Sequence, residues 1–261
     1  MKKLALVVDD TPYIREDIRD ILEEMGYEVY EANDGLEALK MYKKISYSNE
    51  EEWLSIRKKG IGGSDAGAIM GKNKYKNIID VWNDKTGRVN EKFTSLAAQR
   101  GKDLEKNIFY SYKIDNPDKN ILEVDKMYIH PKYDFIRANL DGEIVYEGKK
   151  GILEIKTTTI NKWNKYVEEW QNNIPESYLY QILHYFLVTG YEYAVLVAEI
   201  KFECFKSKNT TPFDLDKRLQ TIVINRSDWE DEIQELLNKE IEFWQCVKND
   251  TEPRMIKTYG G

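Results

Sequence analysis

Cysteine and histidine are scarce in this chain, with two of each among 261 residues. That is too few for a disulfide framework or a cysteine-histidine metal cluster. Cys204 falls in a predicted strand and Cys246 in a predicted helix, and both read as ordinary buried thiols. Long uncharged apolar runs are missing too: nothing approaches the roughly 20 residues that cross a bilayer. The opening MKKLALVVDD reaches Asp9 and Asp10 before a secretory apolar segment is complete, so the chain reads as cytoplasmic. An excess of positive charge is also lacking. The 39 basic and 46 acidic residues leave a net charge of −7, which argues against coating nucleic acid by bulk attraction. It leaves room for an enzyme that gathers carboxylates at one centre and meets phosphates through local basic segments such as Arg57-Lys58-Lys59 and Lys72 to Lys76.

What is present is ample for a packed core: 41% of residues are hydrophobic and 12% aromatic. The first 44 residues predict two strand-helix units. LALVVDD is a strand, TPYIREDIRDILEEMG an amphipathic helix closed by Gly26, YEVYEA a second strand and NDGLEALKMYKK a second helix. The pattern breaks near residue 45, where Ser48 or Asn49 is placed to cap a helix holding Glu52, Trp53, Leu54 and Ile56. Helical periodicity dominates to about residue 115. Strands KMYIH, FIRANLD, EIVYE and ILEIKTT follow, then helices over about 161–172 and 176–189. Two further strands precede a long final helix, with Ser227 as its expected cap. The expected class is α/β.

The chemistry concentrates in Asn139-Leu140-Asp141-Gly142, a strand, a turn at Gly148-Lys-Lys-Gly, and Leu153-Glu154-Ile155-Lys156-Thr157. In a strand Glu154 and Lys156 project from one face while Leu153 and Ile155 enter apolar packing on the other. A hairpin brings Asp141 beside them. Two carboxylates at one point suit Mg²⁺ or Mn²⁺, and a neighbouring ammonium can orient or help deprotonate a water that attacks phosphorus. Taken alone, Glu154 and Lys156 are equally a salt-bridging pair on an exposed strand. The flanking Ile152, Leu153 and Ile155 argue for a central strand, where unpaired charges are costly.

Asp-Gly followed by Glu-x-Lys on adjacent strands resembles the PD-(D/E)xK nuclease pattern. Further segments resemble one branch of it, the YqaJ-like viral recombinases, relatives of lambda exonuclease. These are Trp53-Leu-Ser-Ile-Arg57 through Gly62-Gly63-Ser64-Asp65 to Gly71, Gly101-Lys-Asp-Leu-Glu105, and Tyr180-Gln181-Ile-Leu-His184-Tyr185. The resemblance implies a restriction-endonuclease-like core, a central mixed sheet flanked by helices, over residues 45–261. It implies a magnesium-dependent exonuclease, working 5′ to 3′ on duplex DNA ends in phage-type recombination. Trimeric assembly around DNA and a single-strand annealing protein as partner go with it. Glu105 would join Asp141 and Glu154 at the metals, Lys156 and Gln181 would serve catalysis, and Arg57 and Ser64 would bind a 5′-terminal phosphate. The residues themselves leave other readings open: Glu105 as a surface charge, Gln181 as a helix-helix hydrogen bond, Ser64 as a helix cap, Arg57 as a solvated helix end. His184 and the aromatics Tyr178, Tyr180, Tyr185 and Phe186 read as packing. An endonuclease, or an inactive DNA-binding or interaction module on the same fold, remain the alternatives.

Residues 1–44 resemble the start of a response-regulator receiver, with Asp9-Asp10 matching its magnesium-binding acids and giving a βαβα half. The third strand with its phosphate-accepting aspartate does not follow, so phosphorelay chemistry is not expected there.

Overall fold

The computed structural model describes residues 3–35, 38, 44–46, 50–89, 96–204 and 217–255. The expected caps Ser48 and Asn49, and most of the helix expected between Asn33 and Lys44, lie outside the described residues. At the N-terminus β1 (Lys3–Val8) and β2 (Tyr27–Ala32) pair in parallel, Lys3 opposite Tyr27 and Val8 opposite Ala32, joined through α1 (Pro12–Glu24). Gly26 follows the helix at φ 84, a conformation that costs glycine little.

A four-stranded sheet, in the order β3-β6-β7-β4, gathers β3 (Lys44–Ser46), β4 (Ile61–Gly62), β6 (Lys126–Ile129) and β7 (Ile136–Ala138). Between β3 and β6 lie α2 (Glu50–Lys58), α3 (Gly63–Ile69), α4 (Ile78–Lys85), α5 (Leu96–Asp115) and β5 (Asn120–Leu122). The helical stretch read from sequence is there, but the short strands β4 and β5 are too brief to announce themselves by alternation.

The main sheet is mixed. Its order is β11-β10-β9-β8-β5, built from β8 (Gly142–Tyr146), β9 (Lys149–Ile160), β10 (Tyr193–Phe202) and β11 (Lys217–Asn225). β9 and β10 run parallel and the other neighbours antiparallel. β8 turns into β9 at Glu147 and Gly148, with φ 51 and 76. Two consecutive positive φ values make the tight reversal that matches strand twist, so Lys149 and Lys150 already belong to the strand rather than to the turn.

Helix α5 covers one face of this sheet, where Ile108, Phe109 and Tyr112 pack on Leu153, Ile155 and Val195. Helices α6 (Trp163–Glu169) and α7 (Glu176–Thr189) cover the other, with Ile182, Leu183 and Phe186 against Ile152, Leu196 and Ala198. Helix α8 (Glu230–Lys248) packs on α7 and on α3. The cap expected at Ser227 is not formed. The chain first makes a 3-10 turn over Arg226–Asp228, Ser227 bonds its neighbour Asp228, and Trp229 occupies the cap position without a side-chain bond.

Candidate functional site

Strand β9 is buried along Gly151–Ile155, and Glu154 is only 1% exposed. Since Leu153 and Ile155 face α5, Glu154 projects to the α7 side. There Glu154 Oε1 accepts a bond from Gln181 Nε2 at 2.6 Å and pairs with Lys156 Nζ at 2.5 Å. Gln181 Nε2 also reaches the Tyr185 hydroxyl at 2.7 Å. Asp141 enters from the start of β8, where Gly142 lies opposite Leu153, and its Oδ2 accepts the Ile155 N–H at 2.7 Å. Asp141, Glu154, Lys156 and Gln181 thus meet at one place.

The electrostatics follow from burial. Burial, then repulsion from Asp141, lifts the Glu154 carboxyl to about 8, and burial lifts Asp141 as well. Burial works against the Lys156 ammonium, but Glu154 and Asp141 outweigh it and hold its proton more tightly than usual. Glu154 Oε2 is buried with no hydrogen-bond partner. Two desolvated carboxylates and an unmatched oxygen form a donor set that suits a hard divalent cation. Glu105, on α5, acts on Glu154 only as a further repulsive charge. Among the described residues no three Asp, Glu, His or Cys side chains stand together closely enough to hold a metal.

Beside Gln181 opens a cavity of about 180 Å³. Arg57, at the C-terminal end of α2, donates Nη2 to the Ser64 hydroxyl at 2.6 Å, and its guanidinium lies 5.2 Å from the Trp53 ring centre. Ser64 is the second residue of α3, and the cap position belongs to Gly62. Arg57 and Ser64 line the cavity together with Arg137, which the sequence motifs do not name, and Asn139, which they name without a pocket role. The alternation Ile136-Arg137-Ala138-Asn139-Leu140-Asp141, buried at every other position, was a visible signal that the three polar side chains share a face. Gly63 lets α3 approach: a Cβ there would stand 2.5 Å from the Tyr185 ring.

Two buried ionic groups brace these elements. Asp65, 1% exposed, accepts from Lys85 at 2.8 Å and Lys76 at 2.9 Å. Burial opposes its charge, yet those cations and Arg57 hold it well below the usual carboxylate range. His184 is fully buried between Glu240 Oε1 at 2.6 Å and the Arg137 carbonyl at 2.8 Å. It does pack near the site, as read from sequence, but as a hydrogen-bonded tie. Tyr180, Tyr185 and Phe186 are buried, while Tyr178 lies with its ring centre 5.3 Å from Lys156 Nζ. Asp9 and Asp10 are used locally: Asp9 accepts the Thr11 N–H and Asp10 the Thr11 hydroxyl.

The model of the YqaJ-like viral recombinase domain matches residues 52–192. The uncharacterized protein YqaJ of Bacillus subtilis is 42% identical over 166 residues, 61% of this chain and 50% of that protein, so the chain spans about half the length of that relative. In fold it is similar to the alkaline exonuclease LHK-Exo of Laribacter hongkongensis, with a TM-score of 0.54 at 19% identity, over 77% of this chain and 93% of that one. A shorter likeness to the autoinducer sensor kinase/phosphatase CqsS of Vibrio cholerae, 39% identical over 79 residues, covers 30% of this chain and 11% of that protein. It leaves the receiver-like reading of residues 1–44 unconfirmed.

Proposed function

Since the chain belongs to the YqaJ-like viral recombinase domain family, we propose that it is a divalent-metal-dependent exonuclease that hydrolyses phosphodiester bonds from duplex DNA ends. The observation that carries this reading is Glu154, buried beside Asp141 with one oxygen bound to Lys156 and Gln181 and the other unmatched. Two buried carboxyls share the single positive charge of Lys156, and the repulsion left between them calls for a further cation. Asp141 and Glu154 would hold Mg²⁺ or Mn²⁺, with Glu105 adding charge from α5. When bound, the metal supplies Lewis-acid polarisation of the phosphate and lowers the cost of ionising water.

The protein's own groups do the rest. Lys156, its proton held by both carboxylates, stabilises negative charge developing on the phosphate and orients the attacking water; it is a poor general base in that state. Gln181 fixes the Glu154 carboxylate through its amide, which leaves Oε2 turned away from both partners. Arg57 and Ser64 hold a 5′-terminal phosphate, the guanidinium through charge-assisted bonds. Such a pocket beside the centre favours end-directed, 5′-to-3′ cleavage, in keeping with service to DNA recombination. LHK-Exo has also been solved with dAMP, and a nucleotide product of that kind is what an exonuclease of this design releases.

The test is digestion of linear duplexes with and without 5′ phosphates, beside a closed circle, in magnesium, manganese or chelator. Metal-dependent loss of linear DNA with the circle intact is the expected result. Cleavage of the circle would make the protein an endonuclease, and binding without cleavage in either metal would overturn the enzymatic reading.

A further inference from the structure

The phosphate pocket contains a cation that its sequence signature does not name. We infer that Arg137 is a second phosphate-binding guanidinium, lining the same cavity as Arg57 and setting the enzyme's preference for phosphorylated ends; this rests on the proposed reading of Arg57 and Ser64 as an end-phosphate pocket.

Arg137 lines the same cavity as Arg57, Ser64 and Asn139. It reaches there on the polar face of the segment that ends in Asp141, since Ile136, Ala138 and Leu140 alternate with it into the core. One short segment, from β7 through its link to β8, therefore carries both a pocket cation and a centre carboxylate, four residues apart. The link between the two strands is only three residues long, which keeps pocket and centre close in the chain.

The guanidinium is also held from several sides. Its Nη1 donates to the Ile56 carbonyl at 2.8 Å and its Nε to the Asp134 carbonyl at 2.9 Å. Ile56 directly precedes Arg57, so the first bond ties the Arg137 side chain to the backbone that carries Arg57. From behind, the Arg137 carbonyl accepts from His184 Nε2, whose other ring nitrogen faces Glu240. The imidazole, bonded on both sides, anchors Arg137 to α7 and α8.

The charge itself is under-compensated. Arg137 bonds neutral carbonyls, and among the described residues neither it nor Arg57 makes an ion pair with a carboxylate. Asp65, which feels Arg57, is already engaged by Lys76 and Lys85. Burial pushes the Arg137 guanidinium below its ordinary value. Two such cations, a hydroxyl and an amide around one small cavity match the charge and acceptor geometry of a phosphate monoester better than the single charge of an internal diester.

The experiment compares initial rates, KM and kcat on 5′-phosphorylated and 5′-hydroxyl duplex ends for the full chain and for Arg57→Ala, Arg137→Gln and Arg137→Lys. The expected result is a wild-type preference for phosphorylated ends that shrinks by about tenfold or more in Arg137→Gln, the scale of one charge-assisted contact. The loss should fall chiefly on phosphorylated ends and appear chiefly in KM. Arg137→Lys should restore part of the preference, because charge returns without the planar fork. If Arg57→Ala loses the preference while Arg137→Gln keeps it, or lowers both kinds of end by one factor, Arg137 is a brace only; the inference fails and the pocket stands. A wild-type enzyme indifferent to the end group overturns pocket and inference together.

Discussion

Two helices of this protein are both legible as helices in the sequence and differ completely in what they bury. Helix α1 has no buried residue, and Ile21 and Met25 stand 58% and 66% exposed. Helix α7 buries ten of its residues, among them Gln181 and His184. The first is flanked by a two-stranded parallel sheet, which offers it little to pack against; the second lies across a five-stranded sheet and under α8. An apolar stripe is thus a demand for a partner, and only the surrounding architecture says whether the demand is met. The same contrast separates their acids. Asp9 and Asp10 close a local turn around Thr11, whereas Asp141 and Glu154 are forced together in a desolvated place where they perturb each other.

The largest expected effect tests whether that second pair is the working one. Glu154→Gln and Asp141→Asn should each drop metal-dependent cleavage below detection, while the thermal midpoint in chelator stays level or rises, because a buried repulsion is removed. Asp9→Asn should leave the rate unchanged. Near wild-type cleavage by either core variant would place the centre elsewhere.

A second contrast lies in buried charge. Asp65→Asn leaves Lys85, whose side chain is 1% exposed, without its counterion, and breaking a buried pair in this way costs about 3–5 kcal/mol. The sign of its pH dependence is fixed by the lowered pKa of the folded-state carboxyl. A carboxyl depressed in the folded state stabilises above its unfolded value of about 3.9 and loses that contribution as pH falls below it. Wild type should therefore lose stability from about pH 4 downward more steeply than Asp65→Asn does. Denaturant melts across that range decide it, and parallel curves would mean Asp65 contributes no linked charge.

How much of this was readable beforehand depends on the range of the interaction. The strand order Asp141, Glu154, Lys156 could be read because period-two alternation and a short hairpin are local. Arg57 and Ser64 could be paired only through resemblance, and Arg137 was passed over although its alternation with Ile136 and Ala138 was in view. Asp65 with Lys85 and His184 with Glu240 join residues far apart in sequence, and no spacing rule connects them. The cap at Ser227 failed because a 3-10 turn intervened, a choice set by Arg226 bonding the Phe186 carbonyl and Glu230.

Matched truncations put a number on the difference between the helices. Ile182→Ala, at a fully buried position of α7, should cost about 2–5 kcal/mol. Ile21→Ala in α1 should stay within about 0.5 kcal/mol, as surface substitutions do. A large loss from Ile21→Ala in purified protein would show that α1 is covered in solution, by another part of the chain or another copy.

The smallest expected effect comes from the largest change, removal of residues 1–43. The cut stops there because Lys44–Ser46 pairs with β6 and so belongs to the sheet that carries Arg137. Each group assigned to the centre and the pocket lies beyond it: Arg57, Ser64, Arg137, Asp141, Glu154, Lys156 and Gln181. None of the hydrogen bonds or ion pairs described at these groups reaches β1, α1 or β2. Digestion of a phosphorylated duplex end by the shortened protein should therefore keep kcat and KM within about twofold, a difference near 0.4 kcal/mol by the usual conversion. Solubility should improve or hold, since exposed Tyr13, Ile21 and Met25 leave with the segment. A shortened protein that is folded by circular dichroism, retains the assembly state of the full chain and yet no longer cleaves would show that the N-terminal unit helps to form the site. The contrast between a helix that packs and one that does not would then have to be redrawn around a surface that α1 supplies.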